Sequence, residues 1–412
     1  MTVDPAPAQD GAKRLKLLYI LPDGHPTFRP NVAALFGIHL PREGVFSDIV
    51  TRSTIDDPTP APWAGGEALV APRGGGKLKS IISGVTNDLK ALGRLKRGAY
   101  DAIQVRDRVF VAPLAMLLAR LSGTPFIYWM SFPISESRLR LAKDLGPKGQ
   151  GLRWLAWMLR GHLGTRLLYK WIMPHADFVV VQSEQMTTDV AAQGVDPAKM
   201  YPVPMGIDPA RFAPIIPKPP SPYPGRRVIA YLGVCSRIRR IEFLLDVVAK
   251  VRQADPSVML LLVGGAEEEQ DEVWLREQIA QRGLEADVVL TGWLPPQEVQ
   301  ARMACAEVAL ALMAPDPLLN STSPTKLVEY LAMGLPVVAN EHPEQKLVID
   351  HSGAGLCTPF DAGLFADAVT RLLAEPDTRA AMAERGPAYA VRERAYSVIA
   401  QNLAATYRAR LG

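Results

Sequence analysis

The chain has 412 residues, enough for two or three domains of ordinary size. Apolar residues make up 48% and charged residues 21%, which excludes a fully disordered chain, and the net charge is only +4. Three cysteines, Cys235, Cys305 and Cys357, have neither a paired count nor metal-ligand spacing, so a disulfide scaffold and a cysteine-built zinc site are disfavoured and a reducing compartment fits.

The N-terminal MTVDPAPAQDGAKR carries an acid where an export signal needs positive charge. No run reaches the ~18 apolar residues of a membrane span; Val109–Ala119, the longest, stops at Arg120. A cytoplasmic protein is expected. Short apolar runs then alternate with longer helical stretches. Strands are predicted at Leu15–Leu21, Phe46–Thr51, Tyr100–Arg106, Pro125–Met130, Asp177–Gln182 and Met200–Pro204. Most are continuously apolar, as strands buried on both faces of a parallel sheet are.

Charge is uneven along this half. Lys77–Arg97 carries a net +5 and Arg138–Met173 a net +7, so the remainder of the chain sums to −8. Such basic segments attract anionic lipid, phosphorylated substrates or nucleic acid. No recognition motif accompanies them, so nucleic acid is not expected as a partner. The segment from Gly151, GLRWLAWMLRGHLGTRLLYKWIM, mixes Trp154, Trp157 and Trp171 with Arg153, Arg160, Arg166 and Lys170. That mixture suits an interfacial helix lying on an anionic membrane surface, with rings at the headgroups and cations on phosphates. It equally suits a core helix whose arginines snorkel outward.

Nine of the 23 residues from Pro202 to Pro224 are proline, which forbids helix and central strand and predicts an extended linker. The alternation then restarts, with strands predicted at Arg227–Gly233, Val258–Gly264, Asp287–Gly292, Glu307–Met313, Leu335–Asn340 and Ala354–Thr358. Helices are predicted between them, among them Arg240–Ala254 and Pro324–Met333. Two such series imply an α/β protein of two doubly wound domains facing each other across a cleft. The expected divisions are an N-terminal acceptor domain over 13–212, a linker over 213–226 and a donor domain over 227–387. A last helical stretch from about Thr378 to Leu411, broken at Pro387, is expected to pack its end, about 388–412, back on the first domain.

Two constellations carry chemistry. The first is SPTKLVEYLAMGLPVV. Ser323 is a good N-cap and Pro324 a good first helical residue, so the free N–H groups at Thr325 and Lys326 make an anion site, with the Lys326 charge added. Glu329, one turn deeper on the same face, can accept from both hydroxyls of a ribose. The second is YLGVCSRIRRIEFLLDVV, in which a strand ends at Gly233 and the loop after it carries Arg237, Arg239 and Arg240. Guanidinium groups there suit a diphosphate. The loop lacks G-x-G-x-x-G, so a dinucleotide site is disfavoured.

These residues resemble the retaining GT-B glycosyltransferases of family 4, the glycosyl transferases group 1 type. The likeness runs from Pro174 to Glu375. It takes in PHADFVVVQSE from Pro174, VPMGIDPARFAP from Val203, the Gly233 loop, LVGG at Leu262, LTGW at Leu290 and the Ser323–Val338 block. The first 170 residues match in pattern alone.

The resemblance implies a nucleotide-diphosphate sugar as donor substrate and no cofactor, with no metal required. It implies that Arg239 and Lys326 grip the diphosphate, with Arg237 substituting for the family's earlier arginine, whose usual place Val234 occupies, beside Gly233, Gly264, Ser323 and Thr325. It gives Glu329 the ribose, and Trp293 and Leu294 the base. Three departures stand out. Ser321 occupies the place of the family's first glutamate, with Asp316 as a nearby substitute carboxylate. Ser131, in YWMSFP, occupies the place of its first-domain histidine. Ala339–Gln345 (ANEHPEQ) replaces a Gly-Gly, and all three changes fall on the sugar-facing side. The implied activity is hexosyl transfer to a lipid-linked or polysaccharide-precursor acceptor at the cytoplasmic membrane face. A soluble small-molecule acceptor and a catalytically silent nucleotide-sugar-binding protein remain as alternatives.

Overall fold

A computed structural model describes residues 13–27, 29–55, 62–73, 76–146 and 151–411. The stretch read for an export signal lies, up to residue 12, outside the described residues. The chain forms two compact units. One comprises the N-terminal residues through Met205 with the segment from Tyr396 onward; the other is Gly206–Ala395.

The first unit holds β1 (Leu15–Ile20), β2 (Val45–Arg52), β3 (Ala68–Ala71), β4 (Ala102–Arg106), β5 (Phe126–Trp129), β6 (Phe178–Val181) and β7 (Met200–Pro202). All pairs are parallel, in the order β3-β2-β1-β4-β5-β6-β7, so the winding reverses between β1 and β4. β3 has no counterpart in the sequence reading. It is a partly exposed four-residue edge strand between Gly65–Gly66 and Pro72, which read as loop.

On one face of this sheet, α1 (Lys77–Leu92) and α2 (Ala112–Ser122) join Leu92, Ala115, Met116 and Ala119 to the same apolar cluster as Ile103, Val105 and Tyr128. The helices α3 (Ile134–Leu145) and α4 (Leu152–Leu167) pack on each other. Gly161 of α4 makes that possible, since a Cβ there would fall 2.4 Å from Leu139 Cγ.

The C-terminal helix, Tyr396–Leu411, covers the opposite face and buries Leu403 and Tyr407 beside Tyr19, Phe178 and Val180. The Tyr407 hydroxyl donates to Gln104 Oε1 on β4, with both groups buried. Tyr407→Phe leaves that carboxamide oxygen without a partner in the core. The expected loss is about 1–3 kcal/mol. For a unit of this size that lowers the thermal midpoint by several degrees, readable by calorimetry.

The second unit holds β8 (Arg227–Leu232), β9 (Val258–Val263), β10 (Val288–Leu290), β11 (Val308–Ala311), β12 (Val337–Asn340) and β13 (Gly355–Thr358), all parallel in the order β10-β9-β8-β11-β12-β13. Its helices include α5 (Glu242–Ala254), α6 (Glu269–Gln281), α7 (Thr325–Ala332), α8 (Pro343–Ser352) and α9 (Pro376–Arg394). Both units are thus Rossmann-like.

Two expectations need correction. Residues 213–226 form neither helix nor strand, as the prolines predict, but they belong with the second unit: Tyr223 packs against its core, and Arg226 ties to Ser257 O at 2.9 Å and Asp287 Oδ1 at 2.6 Å. The divisions fall at 205/206 and 395/396 instead. Pro387 does not break its helix. It sits inside α9, which runs along α7 closely enough that a Cβ on Gly386 would meet Leu331 O at 2.8 Å. Packing holds the helix through the proline, and the break comes at Ala395, whose ψ of 136° is extended.

Candidate active site

The carboxyl ends of β8 and β9 meet α7 in unusually close contact. Gly233 follows β8 with φ +147°, and Gly264 follows β9 with φ +137°, both in the region glycine alone occupies readily. A Cβ on Gly264 would fall 2.2 Å from Gly233 O. A Cβ on Gly233 would fall 2.1 Å from Lys326 Cε and 2.7 Å from its Nζ. Gly264 is bare so that the end of β8 can approach it, and Gly233 is bare so that the lysine can lie across it.

Lys326 comes from the first turn of α7. The N-cap there is Pro324, with ψ 127° and no side-chain cap. This corrects the reading of Ser323 as the cap. Ser323 Oγ instead donates to Glu344 Oε1 at 3.2 Å, and Glu344 pairs with the buried Arg394 at 2.7 Å. With no cap bond from Pro324, the start of α7 directs its N–H groups and dipole at whatever anion binds beside Lys326.

Charge at this edge is concentrated. Burial pushes the Lys326 ammonium down, Glu329 opposes that, and Arg239 adds to it. Burial pushes the Glu329 carboxyl up, with Lys326 and Arg211 opposing. The Cys235 thiol is pushed up to about 12 by burial, with Lys326 opposing. Arg239 and Lys326 therefore share one neighbourhood with Glu329. Among the described residues Arg239 has no carboxylate within ion-pair distance.

The neighbouring arginines are occupied. Arg237 stands 3.6 Å from Asp271 and over the Trp274 ring at 5.3 Å. Arg240, at φ +57°, holds Glu242 at 2.6 Å. Of the three arginines the sequence offered, Arg239 is the one brought to Lys326.

A groove of about 180 Å³ continues from Gly264 past Cys235, Ala266, Leu275 and Thr291. Thr291 Oγ1 accepts from Gly264 N–H at 3.1 Å. Trp293 lies across Gly265, donates to Ala266 O at 3.2 Å and is 63% exposed, so a ring face is available beside the groove. Leu294 does not line it; the apolar side chain packs against the core that holds Met303.

The departures have structural employments. Asp316 caps the short helix Pro317–Asn320, accepting from Leu318 N–H at 2.9 Å. Ser321, buried, closes that helix. Within Ala339–Gln345, Asn340 Oδ1 accepts from Met313 N–H at 2.8 Å and Asn340 Nδ2 donates to Met313 O at 2.9 Å. His342 Nε2 meets Leu319 O at 2.8 Å, and burial pushes that imidazole down, toward the neutral form. The segment that replaces Gly-Gly thus clasps the loop carrying Asp316 and Ser321.

In the first unit, Ser131 follows β5. Its N–H donates to Asp107 Oδ1 at 2.8 Å and its hydroxyl to Asp107 Oδ2. Asp107 follows β4 at the winding reversal with φ +52°, uncommon for a non-glycine. Burial pushes its carboxyl up, and Arg106 opposes. Arg106 is itself buried, 3.5 Å from Asp107 and 3.6 Å from Asp23, which Arg29 holds at 2.5 Å. The sequence names Ser131 as a candidate, and the structure sets Asp107, Arg106 and Asp23, which that reading did not name, behind it. The signal was the charged run RDR directly after an apolar strand.

The proposed membrane residues divide. Arg153 and Arg160 are exposed, while Lys170 bonds Gln193 O at 3.1 Å. Trp154 and Trp157 are partly buried, and Trp154 Nε1 donates to Ala142 O at 2.9 Å. The outward stripe of α4 is Leu155, Leu159 and Leu163 instead.

Two Rossmann-like units, one with Lys326, Arg239 and Glu329 beside a glycine-bared strand edge, are the architecture expected of a GT-B glycosyltransferase. The model for glycosyl transferases group 1 matches residues 226–375, and that for the glycosyl transferase 4-like domain matches residues 34–206. The chain belongs to this family, the GT-B glycosyltransferases of family 4 type.

Among curated proteins it is similar to D-inositol 3-phosphate glycosyltransferase of Corynebacterium jeikeium, 26% identical over 245 residues that cover 55% of this chain and 56% of that one. It is also similar to alpha-D-kanosaminyltransferase of Streptomyces kanamyceticus, 24% identical over 184 residues, 44% of this chain and 46% of that one. The matches thus span about half the length of each relative. Anabaena HepE in complex with UDP has the same fold, with TM-score 0.66 and 18% identity over 96% of this chain and 100% of that one. Sucrose-phosphate synthase from Thermosynechococcus elongatus superposes with TM-score 0.69 at 19% identity, covering 96% and 99%.

Proposed function

We propose that this chain moves a hexosyl group from a nucleotide-diphosphate sugar to a lipid-linked or polysaccharide-precursor acceptor at the inner face of the cytoplasmic membrane, with retention. The donor half rests on one observation, the Lys326 side chain lying over Gly233 at the end of β8 with Glu329 and Arg239 close enough to act on its charge. The acceptor oxygen bonds to the anomeric carbon as the bond from that carbon to the diphosphate oxygen breaks. The diphosphate leaves with the electron pair and takes the acceptor proton. Positive groups whose hold strengthens as that charge grows lower the barrier. On this reading Lys326 and Arg239 supply that charge, and the expected result is that chelation by EDTA leaves the rate unchanged.

Thermal shift with UDP, GDP, ADP and their sugars tests the donor reading, since a ligand that binds the folded state raises the midpoint with concentration. HepE, solved with UDP and with UDP-glucose, makes UDP the first to try. No shift with any nucleotide would sink the donor assignment; a shift with no sugar transfer or hydrolysis would favour the silent protein.

A pH series with the bound nucleotide sugar, whose diphosphate does not titrate in this range, adds a sharper test. The raised Glu329 carboxyl loses its charge at a pH above the ordinary ~4.3, and the lowered Lys326 ammonium loses its own below the ordinary ~10.4. Affinity should therefore fall on acidification earlier than an ordinary carboxylate allows. Glu329→Gln should abolish that acid limb.

The membrane half is supported by the outward leucines of α4 among Arg153, Arg160 and Arg166. The competing soluble acceptor is favoured by the inositol phosphate and kanosaminyl relatives. Labelled donor offered with membrane extract and, separately, with inositol 3-phosphate decides between them.

A further inference from the structure

The helices α1 and α2 present a second apolar surface that the sequence reading did not single out. α1 turns Leu92 inward and leaves Ile81, Ile82, Val85 and Leu89 exposed. α2 buries Ala112, Ala115, Met116 and Ala119 and exposes Leu114, Leu117 and Leu121, the last at 75%. These are outward stripes at helical spacing, four and three or four residues apart, opposite the face each helix gives to the core. Single exposed leucines are ordinary; seven large apolar side chains on two neighbouring helices are not.

Where the helices approach, Leu89, Leu92, Leu95, Leu114, Leu118 and Leu121 line a groove of about 460 Å³, a volume small ligands fill. No carboxylate lines it, and Arg97 stands at its wall. Lys90, Lys96 and Arg120 are exposed nearby and have no ion pair among the described residues. The acids close to this surface are already spent: Asp88 holds Arg108 through two bonds of 2.8 and 2.5 Å, and Glu67 holds Arg94 at 2.7 Å.

We propose that the α1–α2 surface docks on an anionic bilayer, with the leucines of both helices entering the acyl boundary and Lys90, Lys96, Arg97 and Arg120 meeting lipid phosphates. The charge selects this occupant. An apolar stripe bordered by unpaired cations, with no acid among them, is the composition of an interfacial element, and the leaflet supplies both the hydrocarbon and the anion. A protein partner would need its own acidic rim, and a second copy of this basic surface would repel the first. The proposal extends the membrane reading from α4 to a further part of the first unit, and it rests on that reading.

The test is co-sedimentation of the full chain with vesicles of phosphatidylcholine alone and of equal parts phosphatidylcholine and phosphatidylglycerol. Wild type should pellet with the anionic vesicles and stay in solution with the neutral ones. Leu117→Glu with Leu121→Glu should weaken that binding roughly tenfold or more, since buried methylenes and charge attraction both count. All these side chains are exposed, so the thermal midpoint should be unchanged. Lys96→Glu with Arg120→Glu, which leaves the leucines alone, should do the same, and salt should weaken wild type. A third reading uses an environment-sensitive dye on Leu121→Cys, against labelled wild type as background; its emission should shift to the blue with anionic vesicles.

Full binding by both double variants, with loss only in Leu159→Glu plus Leu163→Glu on α4, would overturn the α1–α2 surface and leave the membrane reading standing. No binding by wild type would overturn both and favour the soluble acceptor. A dimer that Leu117→Glu plus Leu121→Glu dissolves would make the surface an interface between copies instead.

Discussion

Lys326→Ala should lower sugar transfer by about two to three orders of magnitude while the fold survives. The lysine lies over Gly233 with its Nζ in a partly buried setting, and burial is what makes a fixed charge effective against a leaving diphosphate. Removing one such donor in a water-poor site costs about 2.7–4 kcal/mol of transition-state stabilisation. The loss should appear chiefly in kcat, because charge builds on the leaving oxygen only as the bond breaks. Arg239→Ala should fall in the same range, and the double variant should lose less than the product of the two, since both act on one leaving group. Lys326→Arg should not restore the rate: the lysine already fills the space that a Cβ on Gly233 would claim, and a guanidinium is wider. Transfer within tenfold of wild type in Lys326→Ala would remove the catalytic reading of this residue.

What could be read in advance follows from how local the signal is. Strands such as LKLLYI and VMLLLV are continuously apolar because helices cover both faces, and that pattern needs no tertiary knowledge. Gly233, Gly264, Lys326 and Glu329 stand in short motifs whose order survives in sequence, and the structure brings all four, with Arg239, to one edge. Other features depend on partners distant in the chain. Ser323 has the chemistry of an N-cap, and nothing local says that Glu344 claims its hydroxyl. Pro387 has the chemistry of a helix breaker, and nothing local says that α7 holds α9 against it. Asp107 and Ser131 are 24 residues apart and become a bonded pair only because β4 and β5 are neighbours. The segment Ala339–Gln345 read as a lost glycine pair; that it clasps the loop after β11 through Asn340 and His342 is visible in three dimensions alone.

The second large effect separates two glycines that the sequence treats alike. Gly264→Ala should destabilise the second unit by several kcal/mol, because both of its costs fall on backbone. The new Cβ would stand 2.2 Å from Gly233 O and 2.9 Å from Gly233 C, and the residue is held at φ +137°, outside the range of alanine. Overpacking typically costs about 1–3 kcal/mol and a residue forced into such a conformation a similar amount. Neither can be relieved without parting β9 from β8, which pair along their whole length from Arg227–Val258 to Leu232–Val263. Gly233→Ala is strained too, at φ +147°, but the atoms its Cβ meets are the far end of the Lys326 side chain, which can swing away. The expected outcome is therefore a contrast. Gly264→Ala lowers the thermal midpoint sharply with or without nucleotide. Gly233→Ala loses less stability but gives up most of the nucleotide-induced shift, because the lysine is displaced from the strand end. Equal midpoints and equal nucleotide shifts in the two variants would mean that Lys326 does not act from the place it occupies across Gly233.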